Sequence, residues 1–178
     1  VDPYKPKPMI KESTVPTRRL LFFKTRSCTT GFLAVHSRQI KKKPPKNLDY
    51  IVQDTHDEVS EKIDCLQCAN CCKTTGPLYT EKDIERIAKH LRMKTADFEA
   101  KFLRVDEDND KVLQNLPCFF LNDDNTCSIY EVRPKACREY PHTDRKKIYQ
   151  INNLMLKNTI ICPAAYEFVE SMMKNIKP

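Results

Sequence analysis

Tryptophan is absent from this chain of 178 residues, and glycine occurs only at Gly31 and Gly76. So few glycines exclude the loops that cradle nucleotide phosphates, which need several positions without a Cβ. No GxSxG or HExxH run is present, so the serine-hydrolase elbow and the helical zinc-protease signature are missing too. Histidine is sparse: neither His56 nor His90 has a second histidine three or four positions away, which argues against histidine as the metal ligand. No apolar run reaches the roughly 18 residues of a membrane span. None makes a secretory signal either, since Leu20 to Phe23 is followed by Lys24 and Arg26, and Gly31 to Val35 is too short. The setting expected from these absences is soluble, reducing and cytoplasmic. The sequence opens on Val1 and meets its first methionine at Met9, as expected of a start upstream or of a translation extended past the true start.

The formal net charge of +7 is unevenly placed. Residues 1–46 hold twelve Lys and Arg against Asp2 and Glu12, a balance of +10; the remaining 19 basic and 22 acidic residues leave −3 for the rest. With Pro3, Pro6, Pro8 and Pro16 and no sustained periodicity, residues 1–46 are expected to be a basic, disordered segment, ending in the proline-stiffened run Lys41 to Lys46. Any affinity for nucleic acid would be weak and confined to this segment. A protein or small-molecule partner is expected but not identified by any motif. Residues 47–178 form the domain.

Cysteine is what the chain has in excess. There are nine, and four fall in the eight residues Cys65, Cys68, Cys71 and Cys72. Intervals of two residues between the first three suit a shared ion better than separate disulfides. Cys118, Cys127, Cys137 and Cys162 follow, so eight cysteines are candidate metal ligands, while Cys28 stands apart. Adjacent Cys71 and Cys72 are not expected to serve one tetrahedral ion in relaxed geometry. Cys65, Cys68 and one of that pair are expected to share an ion with a remote fourth ligand. Cys137 and Cys162 are favoured, each near a helix start marked by Pro134 or Pro163.

Around the cysteines the periodicity is helical. Asn47 offers a cap to Leu48, Ile51, Val52, Thr55, Val59 and Ile63; Thr80 with Asp83 makes a capping box ahead of Ile84, Ile87, Ala88 and Leu91; Thr95 opens a helix burying Phe98 and Phe102. The Asp106 to Asp110 run lacks the glycine and the terminal glutamate of a calcium loop and reads as the turn of a short hairpin into Val112 and Leu113. Asn122 to Asn125 is a second turn, folding Cys118 and Cys127 toward each other. After Cys162, Ala165, Val169, Met172, Met173 and Ile176 line one helix face. The fold expected is mainly α: a small irregular helical domain stapled by cysteine-ligated metal, with at most a short β-hairpin.

Two blocks together carry a resemblance. The run from Cys65 to Cys72, then Pro117-Cys118 and Cys127-x-Ile129-Tyr130-x-x-Arg133-Pro134-x-x-Cys137-Arg138-x-Tyr140-Pro141, resembles the CxxCxxCC or YkgJ-like cysteine-cluster family over roughly residues 47–177. The family usually has glycine after the second cysteine, where this chain has Ala69. The resemblance implies chelation of zinc or iron, and distant members resemble flagellin lysine methylases, so catalysis is left open.

Four-thiolate zinc of structural, trafficking or sensing role is the first reading. An iron–sulfur enzyme or electron carrier is the alternative, since a Cys-x2-Cys-x2-Cys triad with a remote fourth cysteine holds ferredoxin-type clusters. Arg133 and Arg138 flank Cys137 and are the candidates to bind the cofactor or an anionic substrate; alternatively they pair with Glu131 and Glu139.

Overall fold

A computed structural model describes residues 40–176. Expectations placed on residues 1–39, Cys28 among them, lie outside the described residues. The described chain is mainly α, with eight α-helices, two 3-10 helices and one two-stranded antiparallel sheet. It divides into two compact units, residues 65–140 and residues 40–64 with 141–176.

The second unit is helical throughout. Helix α1 (Leu48–Lys62) starts at Asn47, whose side chain makes no capping bond, and buries Leu48, Val52, Thr55 and Val59 along one stripe. A 3-10 helix (Ile148–Ile151) runs into α7 (Asn152–Ile161), and α8 (Pro163–Asn175) follows with Cys162 as its cap and proline in its first turn. Ala165, Phe168, Val169 and Met172 of α8 pack with Leu48, Val52, Val59, Ile148 and Met155 into one core. His56 sits at the edge of this unit, its Nδ1 2.8 Å from Thr143 Oγ1. That placement accounts for it without a metal.

The first unit carries the other seven described cysteines. Two short helices, α2 (Cys65–Cys68) and α3 (Asn70–Thr74), are joined at Ala69. Helix α4 (Glu81–His90) begins with the expected reciprocal box, in which Thr80 Oγ1 accepts from Asp83 N and Asp83 Oδ2 accepts from Thr80 N. Helix α5 (Thr95–Phe102) leads directly into β1 (Leu103–Val105), which pairs with β2 (Lys111–Leu113) through the acidic turn. Asp106 Oδ1 closes that turn by accepting from the amides of Asp108 and Asp110, using its carboxylate internally.

Beneath the cysteines lies an aromatic core. Phe98, Phe102 and Phe120 are fully buried, with the Phe102 ring centroid 5.1 Å from each of the other two. Tyr79, Ile84, Ile87 and Ile129 complete it, and Cys118 and Cys127 pack against its surface. The sulfurs of the later cysteines therefore stand on a rigid apolar floor.

With so little glycine, the chain makes its left-handed turns from other residues. Among the described residues Ala69, Arg92, Asn109, Asn125, His142 and Lys147 all have positive φ. Asparagine takes this region readily, but alanine does so at a cost of roughly 1–2 kcal/mol. Ala69, at φ 45°, is thus the turn that the family's usual glycine makes without strain. The bend survives the substitution because Ala69 is buried and its amide and carbonyl are both used, donating to Cys65 O at 2.8 Å and accepting from Lys73 N at 3.1 Å.

Candidate metal centre

Backbone bonds bring the two cysteine blocks together. Cys118 N donates to Cys72 O at 2.8 Å, which docks the Pro117-Cys118 segment on the end of the first run. The turn after Cys118 doubles the chain back so that Ser128 N donates to Phe120 O at 2.8 Å, setting Cys127 beside Cys118. Asn125, at the tip of that turn, donates from Nδ2 to Leu66 O at 2.5 Å and so ties it to α2. Cys137 comes from α6 (Lys135–Glu139), capped by Pro134 rather than containing it.

The four thiols delivered this way are Cys72, Cys118, Cys127 and Cys137. All are half-buried, and the charge of Cys72 acts on each of the other three. Burial pushes the Cys118 thiol up to about 12, with Cys72 and Cys127 adding to the rise. Cys137 is also pushed up to about 12, first by burial and then by Cys118, Cys72 and Cys127. Cys127 rises for the same leading reason. Cys72 alone falls, to about 7, because the Cys71 thiol hydrogen-bonds it and Lys73 lies close, against the effect of burial. None of the eight described cysteines forms a disulfide.

Among the described residues no three Cys, His, Asp or Glu side chains converge to the distances of a closed coordination sphere. The four thiols are neighbours by electrostatic reach. Their chemistry nonetheless fits a thiophilic cation. Backbone N–H groups of Phe120 and Leu121 favour the thiolate of Cys118, and that of Ile129 favours the thiolate of Cys127. Amides arranged this way serve sulfur anions, yet burial and mutual repulsion forbid those anions unless a cation joins them. Tyr79 completes the surroundings. Burial, followed by the charges of Cys118, Cys137 and Cys127, pushes its phenol well above the ordinary range, so a neutral hydroxyl stands among the sulfurs.

The remaining candidates are placed differently. Cys65 is exposed, Cys68 and Cys71 are half-buried on α2 and α3, and Cys71 Sγ lies 3.9 Å from Cys72 Sγ. That distance matches the edge of a tetrahedral thiolate site, about 3.8 Å for metal–sulfur bonds of 2.3 Å. Adjacency in sequence therefore does not by itself keep the pair from meeting one ion. Cys162 belongs to the other unit, as the cap of α8.

Arg133 lies flat over Tyr130, its guanidinium carbon 3.7 Å from the ring centroid, and donates to Tyr130 O at 2.7 Å. Its charge still favours the thiolates of Cys127 and Cys137. Arg138 donates to Arg133 O at 2.8 Å, while Glu139 pairs with Lys135 at 3.5 Å. The arginines are thus held by carbonyl groups and a ring.

Sequence reasoning assigns Asp83 only a capping role, and the structure adds another. Buried Asp83 accepts from Arg86 at 2.6 Å and from Lys135 N at 3.2 Å, and Arg86 also donates to Arg133 O at 3.0 Å. Against burial, the bonds from Thr80, Arg86 and Lys135 hold its carboxyl below the usual range. One carboxylate thereby fixes the start of α4 and the turn that presents Cys137. Asp83→Ala is expected to destabilise the domain by about 2–3 kcal/mol, through a lost cap and unsatisfied donors. Asp83→Asn, which keeps the acceptor oxygen, should cost less; urea unfolding of both variants checks the order.

The sequence profile of the CxxCxxCC family, described as a "Putative zinc- or iron-chelating domain", matches residues 64–162. No curated protein and no solved structure matches the chain.

Proposed function

The chain belongs to the CxxCxxCC family of zinc- or iron-chelating domains, and from that membership we propose that it is a metal-binding protein whose tightly held ion is ligated by Cys72, Cys118, Cys127 and Cys137. The observation that carries this reading is the mutual electrostatic influence of these four thiols, in a half-buried group served by backbone amides. A four-thiolate set of this kind is closed, with no position left for substrate, so the role is structural or sensing. A zinc or iron ion supplies the positive charge that keeps four neighbouring sulfurs ionised. The chain's own groups do the rest. The amides of Phe120, Leu121 and Ile129 orient sulfurs, Arg133 offsets negative charge from above the Tyr130 ring, and Asp83 holds the Cys137 turn through Lys135. Thiols in this state persist in a reducing compartment, which makes the cytoplasm the proposed location.

A second reading rests on α2 and α3. Cys65, Cys68 and Cys71 follow one another through a single left-handed bend at Ala69, and a triad so placed suits an iron–sulfur cluster with a remote fourth cysteine. Anaerobic purification followed by metal and sulfide analysis separates the two. A colourless protein with about one zinc or iron per chain and no sulfide supports the four-thiol reading. A brown protein with acid-labile sulfide favours the cluster, and protein that takes up neither sinks both.

A further inference from the structure

Resting on the four-thiol reading, we propose that Cys71 is the exchange ligand of the centre, a fifth thiol through which a soft divalent cation passes between the solvent-side cysteines and the inner set. The geometry is specific. Cys71 Sγ stands 3.9 Å from Cys72 Sγ, the separation at which two thiolates share one tetrahedral ion. Both residues are pinned by their backbones: Cys71 O accepts from Thr75 N at 2.9 Å and from Thr75 Oγ1 at 2.6 Å, and Cys72 O accepts from Cys118 N at 2.8 Å. The pair is therefore held at this spacing rather than brought to it by chance rotation of a loose loop.

The two sulfurs face different company. Cys72 acts on Cys118, Cys127 and Cys137, whereas Cys71 continues the α2–α3 segment that carries exposed Cys65 and half-buried Cys68. A closed four-thiolate site exchanges slowly because a bond must break before another forms. A fifth thiol within sharing distance of one ligand removes that requirement. As Cys71 binds it gives up its proton, and one of Cys118, Cys127 or Cys137 leaves and takes a proton up. Thiolate replaces thiolate, and no electrons change hands. A centre built in this way is kinetically open to a thiol-bearing donor or acceptor while holding its ion tightly at equilibrium.

The test uses the full chain loaded with zinc. Cys71→Ser and Cys71→Ala are compared with the parent for zinc content after gel filtration and for the rate of zinc loss to excess chelating dye. Expected is unchanged content with release slowed at least about tenfold, the scale on which groups next to metal ligands act. Equal rates in parent and variants would overturn the exchange role. Loss of the ion from both variants, or failure of both to fold, would overturn it as well by making Cys71 a holding ligand. Cys137→Ser, run in parallel, reports separately on the four-thiol reading: if it keeps its zinc, that reading has failed whatever Cys71 does.

Discussion

Cys137→Ser is expected to lose the tightly held ion and with it the fold of residues 65–140, as seen in metal content per chain and in far-ultraviolet circular dichroism. The size of the effect follows from how little else holds this unit. Its core is a single layer of aromatic and aliphatic side chains around Phe98, Phe102 and Phe120, and much of the chain bearing the cysteines is loop and one-turn helix. A domain of this size gains only about 3–5 kcal/mol from its core. Four-thiolate zinc contributes on the order of 10 kcal/mol in small domains, so removing one ligand removes more than the margin. Chelation of the parent should reproduce the variant's spectrum. Cys28→Ser serves as the control and is expected to keep both ion and fold. Full metal content in Cys137→Ser, or an unchanged spectrum after verified metal removal, would contradict the assignment.

The helices were legible because their signals are local. Thr80 and Asp83 lie three residues apart and form the reciprocal box, and Phe98 and Phe102 lie four apart and share one buried face. The hairpin was legible for the same reason, since the run Asp106 to Asp110 can only turn. What the sequence did not disclose is which cysteine goes with which. Spacing ties Cys72 to Cys65 and Cys68, whereas the bond from Cys118 N to Cys72 O, spanning 46 residues of chain, sets it beside the later block. The role of Asp83 in holding Lys135 was hidden likewise, because a capping motif already explained the residue and nothing local points to a partner 52 residues away. Arg133 and Arg138 were read as free to bind a cofactor or pair with acids. Their actual partners are a tyrosine ring and backbone carbonyl groups, which no pattern of side-chain types announces.

Metal affinity should depend steeply on pH. The raised thiols of Cys118 and Cys137, at about 12 against an ordinary value of 9.0, carry their protons throughout the neutral range, and Cys127 is shifted in the same direction. Each proton that a metal must displace changes the apparent affinity about tenfold per pH unit. Cys118 and Cys137 alone therefore require roughly a hundredfold gain per unit as pH rises, and Cys127 takes this toward a thousandfold. Cys72, lowered to about 7, adds a further proton only below neutrality, so the dependence steepens as pH falls from 7 to 6. The metal-free fold responds with the opposite sign at high pH. A thiol whose folded pKa lies above its unfolded one contributes stability that is intact below about pH 9 and is lost as pH rises toward 12. Cys72, shifted the other way, contributes stability that is present above pH 9 and is lost as pH falls through 7. Competition against a chelator of known protonation, at pH 6, 7 and 8, measures the first effect. A slope of one decade or less per pH unit would show that the displaced protons do not come from this group of thiols, and the ion would then have to be sought on Cys65, Cys68 and Cys71.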